Sequence, residues 1–337
     1  MPLSLLHTSA RITAFGTYVP EHVLDNHYFA SIVDTNDEWI TQRTGIKERR
    51  QSKPQQYASD LGYQAALNME TAYPGALSGV DAILVATCTP DTFFPSTAAI
   101  IQAKLGLTSC AAFDISNACA GFITALQTAL GLLAANMHRK VLVIGTETLT
   151  KIVDYSDRST CILFGDGAGA MIVEMDAAEE SDAQEPVFLA AYSDTRGDIN
   201  GTLYRSALAD RVGEVEIQDH GYLFQNGREV YKWALQQVPT GTTELLSAAG
   251  LTIDELDLFV PHSANMRMIE SICDRIGLPL DRTLTSVQQY GNTSAASIPL
   301  ALQQGIQEGR LQKGQLVLLY GFGGGLSQAA LLIRWSL

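Results

Sequence analysis

The sequence is short of charge, and of basic charge in particular. Only 17% of its 337 residues are Asp, Glu, Lys or Arg, and 36 acidic side chains outnumber 22 basic ones, for a formal net charge of -14. A general nucleic-acid binder presents a basic surface, so this balance argues against that class. No pair of cysteines shows CxxC spacing. The five present are Cys88, Cys110, Cys119, Cys161 and Cys273, an odd number that fits neither a disulfide framework nor a zinc site. No apolar run approaches ~18 residues, so no membrane span is expected. The opening stretch MPLSLLHTSARITAFG lacks a charged segment followed by a long apolar one, so a signal peptide is not expected either. The expectation is a cytoplasmic protein with no metal site. What the chain has in quantity is apolar residues, 46% of the total, enough to bury one large core or two fused ones.

Those apolar residues are organised as an alternation. Short β-branched runs predict strands over residues 11–16, 81–87, 112–115, 141–145 and 168–174, then over 187–193, 257–260, 283–286, 316–320 and 328–335. Longer helical patterns cover 97–105, 121–136, 229–249, 265–276 and 294–307. Alternation of this kind implies an α/β protein with mainly parallel sheets covered by helices. The last two strands of each half are joined without a helix, which predicts an antiparallel strand at one edge. The halves repeat one plan. From Asp81 in DAILVAT to Val141 in VLVIG is 60 residues, and from Asp257 in DLFVPH to Leu316 in LVLLYG is 59. Each half then ends in a glycine-rich turn and a strand, FGDGAGAMIVE in the first and YGFGGGLSQAALLIRW in the second. An internal duplication is therefore expected, with its join in the acidic stretch 176–186.

Three side chains stand where such a fold puts chemistry. In FDISNACAGF (113–122) a strand ends near Ser116 and a helix starts around Cys119. A thiol there feels the positive end of the helix dipole and unpaired N–H groups, both of which favour the thiolate. In FVPHSANMRM (259–268) His262 follows a strand and sits in a polar turn, at the sheet edge where ligands bind. In YGNTSAASIP (290–299) Asn292 precedes a helix start, and this segment occupies the place in the second half that holds Cys119 in the first. A pseudo-twofold would gather all three. Competing readings stand beside each: an inert buried thiol, a structural histidine, a helix N-cap. GFGGG (321–325) lets backbone N–H groups face a ligand. A strand and not a helix follows it, and the same holds for GDGAG (165–169), which weakens a dinucleotide-loop reading. A pair of donors for a developing oxyanion fits better.

Together with DTNDEWITQRTGIKERR (34–50), FPSTAAIIQAKLG (94–106) and DRSTCILFGDGAGA (157–170), these segments resemble the β-ketoacyl-[acyl-carrier-protein] synthase III family. Its members are the initiating condensing enzymes of bacterial type II fatty acid synthesis. The resemblance runs from about Arg11 to the C-terminus. It implies a thiolase-like fold of two duplicated βαβαβαββ halves, here 1–178 and 187–337, packed as an αβαβα sandwich. It implies that Cys119 carries the acyl group, that His262 and Asn292 complete the triad, and that the N–H groups of Cys119 and Gly324 form the oxyanion hole. Thr35, Trp39, Arg43, Arg158, Gly227 and Asn265 match positions that bind coenzyme A and its pantetheine arm. Ile162, Leu163 and Tyr231 are expected in the acyl pocket. Phe94 matches a residue lent to that pocket by the partner subunit, which implies a homodimer. Arg267 matches a basic position for docking the acyl carrier protein. Arg228 and Gln225 depart from the asparagine and methionine of the best-known form of the family. The implied reaction condenses an acyl-CoA primer, short or branched, with malonyl-[acyl-carrier protein] and loses carbon dioxide. It needs no metal or redox cofactor.

Rival readings separate on single features. A thiolase needs a second reactive cysteine near the C-terminus, and residues 321–337 contain none. A 3-hydroxy-3-methylglutaryl-CoA synthase needs a glutamate as acid and base. Glu147 lies near the right edge, but GNTSA with Asn292 fits the decarboxylating type better. An acyltransferase to alcohols or amines, a condensing enzyme of secondary metabolism and a non-catalytic acyl or CoA scaffold remain as alternatives on the same fold.

Overall fold

The computed structural model describes residues 3–175, 185–197, 200–217 and 221–337. Most of the expected join at 176–186 lies outside them. The described residues hold two five-stranded sheets. Their strands are β1 (Leu3–Leu5), β2 (Ala10–Tyr18), β3 (Ala82–Ala86), β4 (Ala111–Ile115), β5 (Lys140–Thr148), β6 (Asp166–Met175), β7 (Phe188–Thr195), β8 (Leu258–Pro261), β9 (Leu316–Gly323) and β10 (Ser327–Arg334). One sheet has the order β2-β6-β5-β3-β4 and the other β1-β7-β10-β9-β8. The longer helices are α1 (Asp37–Thr44), α2 (Ala58–Ala72), α3 (Thr97–Leu105), α4 (Gly121–Ala134), α5 (Gly227–Ala248), α6 (Met266–Ile276) and α7 (Ser297–Gln307).

Burial sorts these elements into five layers. Leu126 and Leu130 of α4 and Ile298 and Leu302 of α7 share one core with Val141 and Val143 of β5 and with Val317 and Leu331 of β9 and β10. Helices α4 and α7 therefore lie between the sheets. Leu61 and Met69 of α2 and Ile101 of α3 pack with Ile83 and Ile144 on the outer face of the first sheet. Trp233 of α5 and Ile269 of α6 pack with Phe259 and Leu318 on the outer face of the second. This is the αβαβα sandwich of a thiolase-like fold. No described helix is long and apolar enough to cross a membrane.

Two expectations need correction. The antiparallel strand of each repeat is not at an edge. β6 lies between β2 and β5, antiparallel to both, and β10 lies likewise between β7 and β9. Helices cover both faces of β6, which explains its run of small residues: a Cβ added at Gly169 would come within 2.1 Å of Pro299. The predicted strand over 283–286 is also absent. Thr283 makes a single parallel bridge to Phe259. Beyond it the backbone turns to side-chain partners instead of a ladder, Ser286 N–H donating to Ser263 Oγ and Val287 N–H to Thr285 Oγ1. The second sheet gains β1 at its far edge, paired antiparallel with β7.

Candidate active site

The two inner helices begin in the same unusual way. Ala118 has φ +44° and opens a 3-10 turn, Ala118–Ala120, that runs into α4. Ser294 has φ +46° and opens the turn Ser294–Ala296, which runs into α7. Left-handed backbone at a residue with a side chain costs on the order of 1 kcal/mol and is held only where packing fixes it. Here the two turns pack against each other. A Cβ on Gly121 would lie 3.8 Å from the Ala295 Cβ, and one on Gly145 would lie 2.5 Å from the Ala295 carbonyl oxygen. Cys119 thus sits in the turn itself, one residue past the left-handed position, and Asn292 sits two residues before its counterpart.

A cavity of about 920 Å³ reaches this meeting point and is lined by Cys119, His262, Asn292 and Gly323–Gly325. His262 follows β8. Its N–H donates to the Tyr320 carbonyl at 2.7 Å, and its Nδ1 is paired with Ser297 Oγ at 2.7 Å. That leaves Nε2 for the cavity. The ring lies edge-on to Phe322, and burial pushes its pKa down to about 3, so the imidazole is neutral near pH 7. Asn292 is tied down by its backbone, its N–H donating to Leu163 O and its carbonyl accepting from Gly165 N–H. Its Oδ1 accepts from Ser294 N–H at 2.9 Å, which leaves the amide nitrogen as a donor. Thr293 and not Asn292 holds the N-cap position, so the Oδ1 bond closes a local turn and leaves the amide nitrogen to the catalytic reading.

Cys119 lies against the end of β9. A Cβ on Gly323 would meet Cys119 Cβ at 2.9 Å and Sγ at 3.1 Å, so only glycine fits beside the sulfur. The expected thiolate is not the resting state. Burial pushes the thiol up to about 12; a hydrogen bond from Ser294 opposes the shift and nearby Glu147 adds to it. Desolvation outweighs the helix terminus because the turn is packed between two sheets.

At the exposed end of the cavity stand Trp39, Arg43, Gly227 and Asn265. Asn36 caps α1 by accepting from Trp39 N–H, which fixes the indole at the first turn. The Arg158 guanidinium lies 5.0 Å from the indole centre and that of Arg43 lies 5.8 Å from it. Arg158 Nη1 donates to Asp34 O. Asn265 caps α6 and donates to Arg43 O, so α1 and α6 hold each other at the mouth.

Residues 113–191 match the family described as 3-oxoacyl-[acyl-carrier-protein] synthase III, and residues 246–335 match its C-terminal part. A β-ketoacyl-[acyl-carrier-protein] synthase III of Bacillus subtilis is 51% identical, covering 98% of this chain and all of the relative. One from Halalkalibacterium halodurans is also 51% identical, over 98% and 97% of the two chains. The chain belongs to the β-ketoacyl-[acyl-carrier-protein] synthase III family. The solved synthase III of Thermus thermophilus superposes with a TM-score of 0.90 at 44% identity, over 96% of this chain and 99% of that one.

Not every residue expected from that family falls on the cavity. Ile162, Leu163, Tyr231 and Gln225 line it. Arg228 is exposed and is not on the cavity wall. Thr35 is also off the wall, its hydroxyl buried without a partner. Phe94 does not reach this chain's own cavity. It is 87% exposed, whereas its neighbour Phe93, which was not singled out, lines the wall. Arg267 is exposed, with its Nε donating to Gln42 O. Cys88, Ser294 and the segment Leu203–Ala207 also line the cavity and were not anticipated. Ser294 could have been found from the repeat, since it is the counterpart of the residue just before Cys119.

Proposed function

We propose that the chain joins an acyl-CoA primer, short or branched, to malonyl-[acyl-carrier protein], releasing carbon dioxide and yielding 3-oxoacyl-[acyl-carrier protein]. In this reading it initiates fatty acid synthesis in the cytoplasm. The half 1–178 supplies the nucleophile and the half 187–337 supplies the histidine and the asparagine. The observation that carries the reading is the convergence of Cys119, His262 and Asn292 on one cavity, with the β9 glycines against the sulfur.

The chemistry follows from the states of these groups. Cys119 sulfur bonds to the thioester carbon as its proton passes to neutral His262, and the oxyanion is held by the N–H groups of Cys119 and Gly324. Collapse breaks the carbon–sulfur bond to coenzyme A, which leaves with the proton. Malonyl-carrier protein then enters the same tunnel. Once the neutral ring has exchanged to the tautomer whose Nδ1 accepts from Ser297 Oγ, Nε2–H of His262 and the Asn292 amide donate to the malonyl thioester oxygen, so the electron pair freed by loss of carbon dioxide rests there as an enolate. Loss of one such donor costs on the order of 100- to 1,000-fold in rate. The enolate carbon attacks the acyl group, the carbon–sulfur bond to Cys119 breaks, and the sulfur takes up a proton from solvent to return to the thiol. Coenzyme A thioester and phosphopantetheine-borne malonyl are substrates, and no step calls for a metal or redox cofactor.

Trp39 between Arg43 and Arg158 suits the adenine and phosphates of coenzyme A, and Arg267 suits the acidic carrier protein. Exposed Phe93 and Phe94 next to the edge strand β4, with its exposed Phe113, favour a homodimer in which Phe94 closes the partner's acyl pocket. A priming β-ketosynthase of a polyketide pathway is 32% identical. The higher identity of the synthase III relatives favours the fatty acid reading.

The test is intact-protein mass spectrometry with acetyl-, isobutyryl- and longer acyl-CoAs, with Cys119→Ala alongside. A single adduct on the wild type, discharged by malonyl-carrier protein, is expected. An adduct that malonyl-carrier protein cannot discharge would move the case to an acyltransferase.

A further inference from the structure

Of the four charged residues in the run 47–50, Arg49 alone is buried, with 0% of its surface exposed. It lies on the strand Glu48–Gln51, which pairs antiparallel with His22–Asp25. Among the described residues its hydrogen-bond partners are all neutral. Nε donates to the Ile162 carbonyl at 2.8 Å, Nη2 donates to the same oxygen, and Nη1 donates to Asn26 Oδ1 at 2.5 Å. Asn26 is itself fixed by donating to Asp37 Oδ1 and Ile46 O, and the Phe29 ring faces the guanidinium at 4.6 Å. Burial lowers the Arg49 pKa to about 9, so the side chain is still a cation near pH 7. A cation is taken out of water only where something holds it, and here two of its three bonds go to one carbonyl.

Ile162 ends the short helical turn Arg158–Cys161, so its carbonyl has no partner within the turn and Arg49 supplies one. The residues that follow carry the wall of the site. Ile162, Leu163 and Phe164 line the cavity. Leu163 O accepts from Asn292 N–H at 2.8 Å, Gly165 N–H donates to Asn292 O at 3.0 Å, and Phe164 and Asn292 form a parallel bridge. The Arg49 stem packs against the glycines at both sides of this bridge. A Cβ on Gly291 would lie 2.9 Å from Arg49 Cγ, and one on Gly165 would lie 3.2 Å from Arg49 Cβ. Guanidinium and stem thus fix 162–165 and 291–292 against each other.

We propose that Arg49 is a positioning residue for Asn292. It is not on the cavity wall and acts through others. It holds the Ile162 carbonyl, through it the segment Leu163–Gly165, and through the bridge the backbone from which the Asn292 amide is aimed. This rests on the reading above, in which Asn292 donates to the malonyl thioester oxygen. Acylation draws on Cys119 and His262, to which none of these bonds runs, so the two half-reactions should respond unequally.

Arg49→Met keeps the stem and removes the bonds. Amide hydrogen exchange of the full chain, read on peptides over 163–165 and 291–293, is expected to speed up by roughly tenfold or more, with the Cys119 turn unchanged. Carbon dioxide release from malonyl-carrier protein is expected to fall by ~10- to 100-fold, and the acyl-Cys119 burst at saturating acyl-CoA to stay within about threefold of wild type. In an Asn292→Ala background Arg49→Met should add less than about threefold, because the loss runs through Asn292. A general loosening of the fold would slow both half-reactions and add in full. Arg49→Lys keeps the cation but not the fork that reaches both Ile162 O and Asn26 Oδ1, and should recover all but about three- to fivefold of the rate. Wild-type exchange at 291–293 in Arg49→Met, or a loss undiminished by Asn292→Ala, overturns the proposal. Should Arg49→Met fail to fold, the same cycle is run with Arg49→Lys; no loss, or a loss that adds in full, overturns it. Carbon dioxide release indifferent to Asn292→Ala strikes the functional reading, and faster exchange at 291–293 then leaves the positioning standing.

Discussion

Replacing Gly323 by alanine tests the fit of β9 against the nucleophile, and Gly324→Ala is its built-in control. The added methyl at 323 would stand 2.9 Å from Cys119 Cβ, 3.1 Å from Sγ and 3.2 Å from the Cys119 nitrogen. None of these belongs to a flexible side-chain end, so the turn or the strand must give way. Overpacking of this kind costs about 1–3 kcal/mol, which lowers the melting temperature by several degrees at most. The larger effect is on geometry. A shift of the order of half an ångström to an ångström moves the sulfur relative to the oxyanion donors, and misplacement on that scale costs up to about 100-fold in rate. At 324 the added methyl meets Ala118 Cβ and Leu203 Cγ, both at 3.4 Å, and the N–H is kept. That substitution should cost under ~1 kcal/mol and at most a few-fold in rate. The assay is the burst of acyl-Cys119 formed on mixing with acyl-CoA, followed by mass, with melting curves on the same samples. Equal acylation rates in wild type and Gly323→Ala would refute the packing argument. A Gly324→Ala defect as large as that of Gly323→Ala would refute the distinction between them.

Glu147, buried near the end of β5, should be visible in stability. Its folded pKa of about 7 lies above the unfolded value of 4.5, so its contribution is intact below pH 4.5 and is lost as pH rises through 7. The stability of Glu147→Gln minus that of wild type should therefore grow with pH across this window, by at most ~1.4 kcal/mol per unit, and a flat difference in denaturant melts would contradict the shift. His262 runs the other way. Its folded pKa of about 3 lies below 6.5, so stability is lost as pH falls from 6.5, and His262→Gln should remove that slope. Ser297→Ala strips His262 Nδ1 of its partner, and decarboxylation of malonyl-carrier protein should slow by about tenfold, with tight acyl-CoA binding retained in a binding titration. Trp39→Ala and Arg158→Ala should each raise KM for acyl-CoA by roughly 3- to 30-fold at nearly constant kcat, as loss of a stacked cation–ring contact predicts.

The strands were legible in the sequence where burial is complete. The runs in β3, β5 and β9 are β-branched or leucine-rich because helices cover both faces of each sheet. The stretch 283–286 reads the same way and is not a strand, since its backbone turns to hydroxyl partners, Ser286 to Ser263, which only folding brings close, and Val287 to neighbouring Thr285. Helix α2 was passed over because its sequence ASDLGYQAALNMETA meets the sheet with small residues; a Cβ on Gly62 would fall 2.7 Å from Ile101 Cδ1. Cys119, His262 and Asn292 were legible singly because each follows a strand or opens a helix in a run of small and polar residues. The direction of the Cys119 shift was not, because a helix-terminus argument is local while desolvation is a property of the whole packed turn. Phe94 and Phe93 are adjacent and chemically alike, so which one faces the cavity is decided only by the backbone between them.

The paired left-handed turns have a mechanical consequence. Gly145 of β5 on one side and the Ala295 carbonyl on the other leave no slack at the start of α7, and Gly121 at the start of α4 is in van der Waals reach of the same residue. Any substitution that thickens this seam must tilt α4, α7 or both. Tilting α4 displaces the sulfur, and tilting α7 displaces Ser294, Ser297 and the loop that carries Asn292. In the proposed mechanism the nucleophile and the donors that serve the second substrate are, to that extent, one moving part, and variation that tunes one half-reaction independently has to come from the cavity walls.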